Sequence, residues 1–187
     1  MSKTALIIVD LQNDYFQGGK CELEGTEDAA TKASTLLKSF RARGLPVVHV
    51  RHEFPTGDAP FFAPNSDGAK VHSLVQYIEG EPVVLKHQIN SFRDTNLKEI
   101  LDELDVDSVL ICGAMSHMCI DSVTRAANDF GYNCAIAHDA CATLGLEFKG
   151  VTVPAKHVHA AFMAALAFAY GNVASTDELL TEINQQS

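Results

Sequence analysis

Three residues far apart in the chain carry side chains that together suit acyl transfer: Asp10, Lys86 and Cys119. Cys119 closes the run Gly113-Ala-Met-Ser-His-Met-Cys119, between the apolar stretch Ser108-Val-Leu-Ile-Cys112 and the segment Ile120-Asp-Ser-Val-Thr-Arg-Ala-Ala127. The pattern reads as a buried strand, a tight turn and a helix beginning near the cysteine. A thiol at a helix N-terminus meets the positive end of the macrodipole and unpaired backbone N–H groups. That context predicts a favoured thiolate, and amides able to hold an oxyanion. Asp10 directly follows Ile7-Ile-Val9, and Lys86 directly follows Val83-Val-Leu85. Singly, each residue has a plainer reading: the cysteine as a small core hydrophobe, the aspartate as a turn residue, the lysine as a solvated charge. As a set they are a thiol, a carboxylate to take its proton and an ammonium that keeps the carboxylate oriented and ionised.

Short apolar runs alternate with longer amphipathic segments, and this alternation supplies the means of bringing the three together. Strands are predicted at Ala5–Val9, Pro46–Val50, Pro82–Leu85, Val106–Cys112, Tyr132–Ala137 and Val173–Ala174. Helical spacing marks Glu27–Arg43, Thr95–Leu104, Met118–Phe130 and Val158–Tyr170. Such alternation calls for an α/β fold: a doubly wound, mainly parallel sheet of about six strands flanked by helices. Right-handed crossovers then line up all strand C-termini along one edge, where ligands bind. The 187 residues suit a single domain spanning 1–187. Phe54–Asp67 is the one long irregular connection, and the alanine-rich Val158–Tyr170 helix is apolar nearly all round, which predicts burial on several sides.

Composition narrows the partners. With 14 Lys plus Arg against 24 Asp plus Glu, the net charge of −10 argues against nucleic acid and anionic membranes. No stretch approaches the ~20 apolar residues of a membrane span. The five cysteines are odd in number and form no CxxC, as expected of reduced thiols in the cytoplasm.

The chain resembles the isochorismatase-like cysteine hydrolases, a family that includes nicotinamidases, carbamoylsarcosine amidohydrolases and ureide amidases. Ile8-Val-Asp10-Leu-Gln-Asn-Asp14-Tyr-Phe, followed by Gly18-Gly19, is similar to the family's opening motif. Lys86-His-Gln-Ile-Asn-Ser91-Phe92, with Thr95-Asn-Leu97, is similar to its lysine motif, and Gly113 to Cys119 is similar to its nucleophile loop. By that resemblance Asp10, Lys86 and Cys119 form a catalytic triad. It also implies a cis peptide between Ala114 and Met115, and an oxyanion hole made by the backbone N–H groups of Met115 and Cys119. The implied activity is hydrolysis of a C–N bond in a small amide or ureide through a thioester. A rival is the isochorismatase branch, where the aspartate cleaves an enol ether; a non-catalytic binding protein on the same scaffold is a third reading.

Gln12, Phe16, Phe62, His117 and Thr143 are candidate pocket residues. Tyr15 and Phe61 join the phenylalanines as a possible aromatic wall. Nicotinamidases of this family hold a divalent ion through an Asp-x-His after the second strand. This chain has Arg51-His52-Glu53 there, so neither a metal nor a cofactor is expected, and His49 and His52 are read as packing or substrate contacts. Family members are commonly dimers or tetramers, which implies a homodimer or homotetramer.

Overall fold

The structure is a computed structural model that describes residues 3–185. In chain order, β1 (Thr4–Val9) leads to α1 (Thr26–Ala42), β2 (Val47–His52), β3 (Val83–Lys86) and α2 (Leu97–Glu103). Next come β4 (Ser108–Ala114), a π-helical turn at Ser116–Ile120, α3 (Asp121–Asp129) and β5 (Asn133–Ala142). A small hairpin of β6 (Leu146–Phe148) and β7 (Val151–Val153) precedes α4 (Ala155–Ala169), β8 (Asn172–Ala174) and α5 (Thr176–Gln185).

The main sheet has six parallel strands in the order β3-β2-β1-β4-β5-β8. Strands covered on both faces must be apolar throughout, which is why Ala5-Leu-Ile-Ile-Val9 shows no polar alternation. Its residues still divide by parity. Leu6 and Ile8 pack with α1 and α5 through Leu36, Leu37, Phe40 and Leu179 on one face. Ile7 and Val9 pack with Leu97, Leu101, Val123 and Leu166 from α2, α3 and α4 on the other. The doubly wound α/β architecture is therefore as the alternation predicts.

Three details differ. The helix expected over Met118–Phe130 begins as a π-helical turn and becomes α-helical only at Asp121. The β6–β7 hairpin and α5 are not among the expected elements, although Ser175 and Glu178 form a reciprocal capping box at the start of α5. Finally, α4 buries only Ala155, Val158, Met163 and Leu166, while Phe168 stands 92% exposed. Within one chain its apolar surface is covered on one side, not on several.

Candidate active site

Strand order decides where a site can form. β1 is followed by β2 and β3 on one side, whereas β4, β5 and β8 lie on the other, so the direction of winding reverses between β1 and β4. Crevices open beyond the strand C-termini at such a reversal. Asp10 leaves β1 and Cys119 follows β4, so the two flank this point. Asp10 has a left-handed backbone (φ 52°), a conformation aspartate tolerates better than most residues, while its N–H still donates to Val50 O at 2.9 Å. Gly113, paired with Val9 in the ladder, has φ 128° and lets the two strands approach so closely that a Cβ would stand 1.9 Å from Val9 O. The Ala114–Met115 peptide is cis.

Lys86 reaches the same point from β3, two strands away from β1. Neighbouring strands are ~4.8 Å apart, so its side chain must cross the end of β2 to span a gap of roughly 10 Å. A long side chain is needed for this, and Lys86 is fully buried along the way. Its Nζ lies 2.8 Å from Asp10 Oδ2. It also donates to Cys119 Sγ at 3.3 Å and to Gln88 O at 3.2 Å, and meets His52 Nδ1 at 3.1 Å. The contact with Asp10 is an ion pair and not a well-directed hydrogen bond, since neither carboxylate oxygen has a donor in bonding geometry. All three residues of the set thus converge, at exposures of 1%, 0% and 4% for Asp10, Lys86 and Cys119.

Burial and charge set the protonation states. Burial pushes the Lys86 ammonium pKa down, but the charge of Asp10, followed by Cys119, outweighs it and holds the value above that of ordinary lysine. The Cys119 thiol is pushed well up, first by burial and then by the Asp10 carboxylate, with Lys86 opposing. The expectation of a resting thiolate is therefore corrected. The sulfur lies in a buried π-helical turn beside an anion, and both circumstances favour the neutral thiol.

The sequence suggests His52 only as packing or a substrate contact, without its link to Lys86. It ends β2, is paired with Lys86 in register and is 4% exposed. Burial, then the Lys86 charge, lowers its pKa to about 4, so the ring is neutral and Nδ1 accepts from the ammonium. The register was the signal that could have found it: parallel neighbours at adjacent strand ends lie side by side. Tyr15 also stands near the set; burial, then Asp10 and Cys119, raise its hydroxyl pKa.

The pocket candidates are distributed unevenly around this centre. Gln12 is fully buried and its amide is consumed by backbone, with Nε2 donating to His52 O and Ala69 O at 2.7 and 2.8 Å and Oε1 accepting from His52 N at 2.7 Å. It clamps the end of β2. Phe62 sits on the 54–67 connection, where its N–H donates to the buried Asp14 carboxylate at 2.7 Å. Its ring lies 4.6 Å from Tyr15 and 6.2 Å from His52, so that connection closes an aromatic cover over His52, with Phe54 edge-on at 4.7 Å. Phe16 stacks on His72 at 3.6 Å between centroids. His117 Nδ1 lies 2.6 Å from Thr143 Oγ1, and Thr143 borders a cavity of about 270 Å³ with Cys141 and His159. Ser116, buried within the nucleophile loop, donates to Ala142 O at 3.3 Å and meets His159 Nδ1 at 2.8 Å, which ties the loop to α4. Among the described residues, no group of three or more His, Cys, Asp or Glu is placed to hold a metal ion. No helix there is long and apolar enough to cross a membrane.

Known proteins share both this fold and its sequence. A candidate isochorismatase hydrolase from Oleispira antarctica superimposes with a TM-score of 0.94 at 64% identity, covering 96% of this chain and 97% of that one. The uncharacterised isochorismatase family protein YddQ of Bacillus subtilis is 47% identical over 177 residues, or 95% of this chain and 98% of that protein. Nicotinamidase 3 of Arabidopsis thaliana is 25% identical over 192 residues, covering 94% of this chain and 86% of the relative. The model of the isochorismatase domain matches residues 4–178, so a hydrolase-type scaffold runs through nearly the whole sequence, and the chain belongs to the isochorismatase family.

Proposed function

We propose that the protein is a cysteine-dependent amidohydrolase that cleaves a C–N bond of a small amide or ureide. The observation that carries this reading is the buried convergence of Asp10, Lys86 and Cys119 around one ammonium. Similarity to a nicotinamidase supports the amide class. In the resting state Cys119 is a thiol facing the Asp10 carboxylate. As the sulfur attacks the carbonyl carbon, its proton passes to Asp10, and the tetrahedral oxyanion is held by the backbone N–H groups of Met115 and Cys119. Asp10 returns the proton to the departing nitrogen, which leaves as ammonia or an amine, and a thioester remains. Water then gives a proton to Asp10 and adds to the thioester. Collapse releases the carboxylic acid and restores the thiol. Lys86 keeps Asp10 placed and ionised between these transfers. The closed setting of Cys119 suits a small substrate.

An ammonia-release screen over small amides and ureides, run on wild type and Cys119→Ala, tests the reading. Cys119-dependent release supports it. A silent panel together with turnover of isochorismate would replace it with enol-ether cleavage by Asp10. The proposal extends to a homo-oligomer in the cytoplasm, supported by the exposed α4 face of Ala160, Ala161, Ala164, Ala165 and Phe168 and by five free cysteines. Phe168→Glu should then lower the oligomer mass in sedimentation; an unchanged mass would remove α4 from the interface.

A further inference from the structure

The three hydrogens of the Lys86 ammonium meet three acceptors, His52 Nδ1, Gln88 O and Cys119 Sγ, at 3.1, 3.2 and 3.3 Å, while Asp10 Oδ2 stands at 2.8 Å as its ion-pair partner. His52 sits midway along the crossing of Lys86 over β2, in register with it. Its backbone is gripped on both sides by the Gln12 amide, and its ring is packed against Phe54 and Phe62, so its Nδ1 has little freedom to move. With Nδ1 accepting, the ring proton is on Nε2, a buried atom with no hydrogen-bond partner among the described residues. A ring held so firmly, with its second nitrogen left unpaired, is placed for what Nδ1 does.

We propose that His52 is a positioning residue: by taking one Lys86 hydrogen it holds the ammonium beside Asp10 and limits its hold on Cys119. This inference rests on the reading of Asp10, Lys86 and Cys119 as the reacting set. Without the Nδ1 acceptor, the freed N–H has Asp10 Oδ2, Gln88 O and Cys119 Sγ within reach, and the ammonium is no longer held away from the sulfur. A firmer bond to sulfur would stabilise the thiolate at rest and loosen Asp10, so the thiol would react faster with an alkylating agent while turnover fell. The titratable groups facing Cys119 are Asp10, Lys86 and Tyr15, and those facing His52 are Lys86, Asp10 and His87. All act on every His52 variant alike, so a comparison among variants isolates the acceptor.

The test uses the alkylation rate of Cys119 by iodoacetamide at pH 8, read by peptide mass spectrometry. An asparagine can place its carbonyl oxygen where Nδ1 stands, whereas a glutamine carries its amide one atom too far. His52→Asn should keep the wild-type rate. His52→Gln should raise it about threefold or more, equivalent to half a pKa unit or more. In a Lys86→Met background the same His52→Gln change should alter the rate less than about twofold, because the effect runs through the ammonium. An equal rise in both backgrounds means that access changed, and overturns the proposal. So does a His52→Gln rate within twofold of wild type, or a His52→Asn rate that matches His52→Gln. Should Lys86→Met fail to fold, the Asn and Gln pair decides alone. Alkylation needs no substrate, so these outcomes are separate from the failure of the hydrolase reading, which is Cys119→Ala with wild-type ammonia release.

Discussion

Lys86 Nζ stands 2.8 Å from Asp10 Oδ2 with neither residue open to water, and the same nitrogen reaches Cys119 Sγ at 3.3 Å. One cation thus serves two groups that compete for a proton. The Asp10 carboxylate raises the Cys119 pKa and Lys86 lowers it, so the carboxylate both suppresses the resting thiolate and stands ready to take its proton.

That opposition makes Asp10→Asn a diagnostic change. Turnover should fall about 10²–10⁴-fold, since no base remains. Alkylation of Cys119 at neutral pH should rise, because the anion that held its proton is gone while Lys86 remains. Parallel ammonia-release and iodoacetamide assays on one preparation would show the two rates moving apart. A variant slow in both would mean that Asp10 does not control the thiol.

Breaking the buried pair should also cost stability. Lys86→Met leaves the Asp10 carboxylate buried without its counter-charge, a loss of about 3–5 kcal/mol. Adding Asp10→Asn should restore part of it, as the stranded charge disappears. Urea unfolding of the two single variants and the double variant measures the coupling; strict additivity would contradict a direct interaction.

Gly113→Ala tests how closely β1 and β4 must approach. The new methyl group would meet Val9 O at 1.9 Å in a backbone region that disfavours any side chain. An exceptional destabilisation of more than about 4 kcal/mol is expected, with loss of activity in whatever folds. Thermal melting would reveal it, and a melt within a few degrees of wild type would show that the strand ends can part without harm.

Acid stability should depend on Glu81, which joins α1 to β2 by bonding Arg41 at 2.7 Å and the buried His49 at 2.9 Å. Burial works to raise its pKa, but Arg41, the Ile78 N–H and His49 together hold it down at about 2, against 4.5 for an ordinary glutamate. A depressed carboxylate stabilises the fold fully above the unfolded value, and that contribution is lost as pH falls through the folded one. The window is therefore pH 4.5 to about 2, and the contribution is about 3 kcal/mol. Glu81→Gln should flatten unfolding free energy against pH within this window and lower it above.

Much of this protein can be read from its residue order. Continuous apolar runs such as Ala5–Val9 read as buried strands, and their alternation with helical segments calls for a parallel sheet and one functional edge. Asp10, Lys86 and Cys119 follow three of those runs, so sequence alone assigns them to that edge. What tertiary structure decided is how they meet. The strand order set Lys86 two strands from Asp10, which made it cross β2 and placed His52 under its path. The aromatic cover from the 54–67 connection and the anchoring of Phe62 by Asp14 depend on contacts between distant segments, which no local period records. The protonation of Cys119 is a tertiary property for the same reason. A helix N-terminus is visible in the sequence, but the burial and neighbouring carboxylate that raise the thiol pKa exist only after the chain has folded.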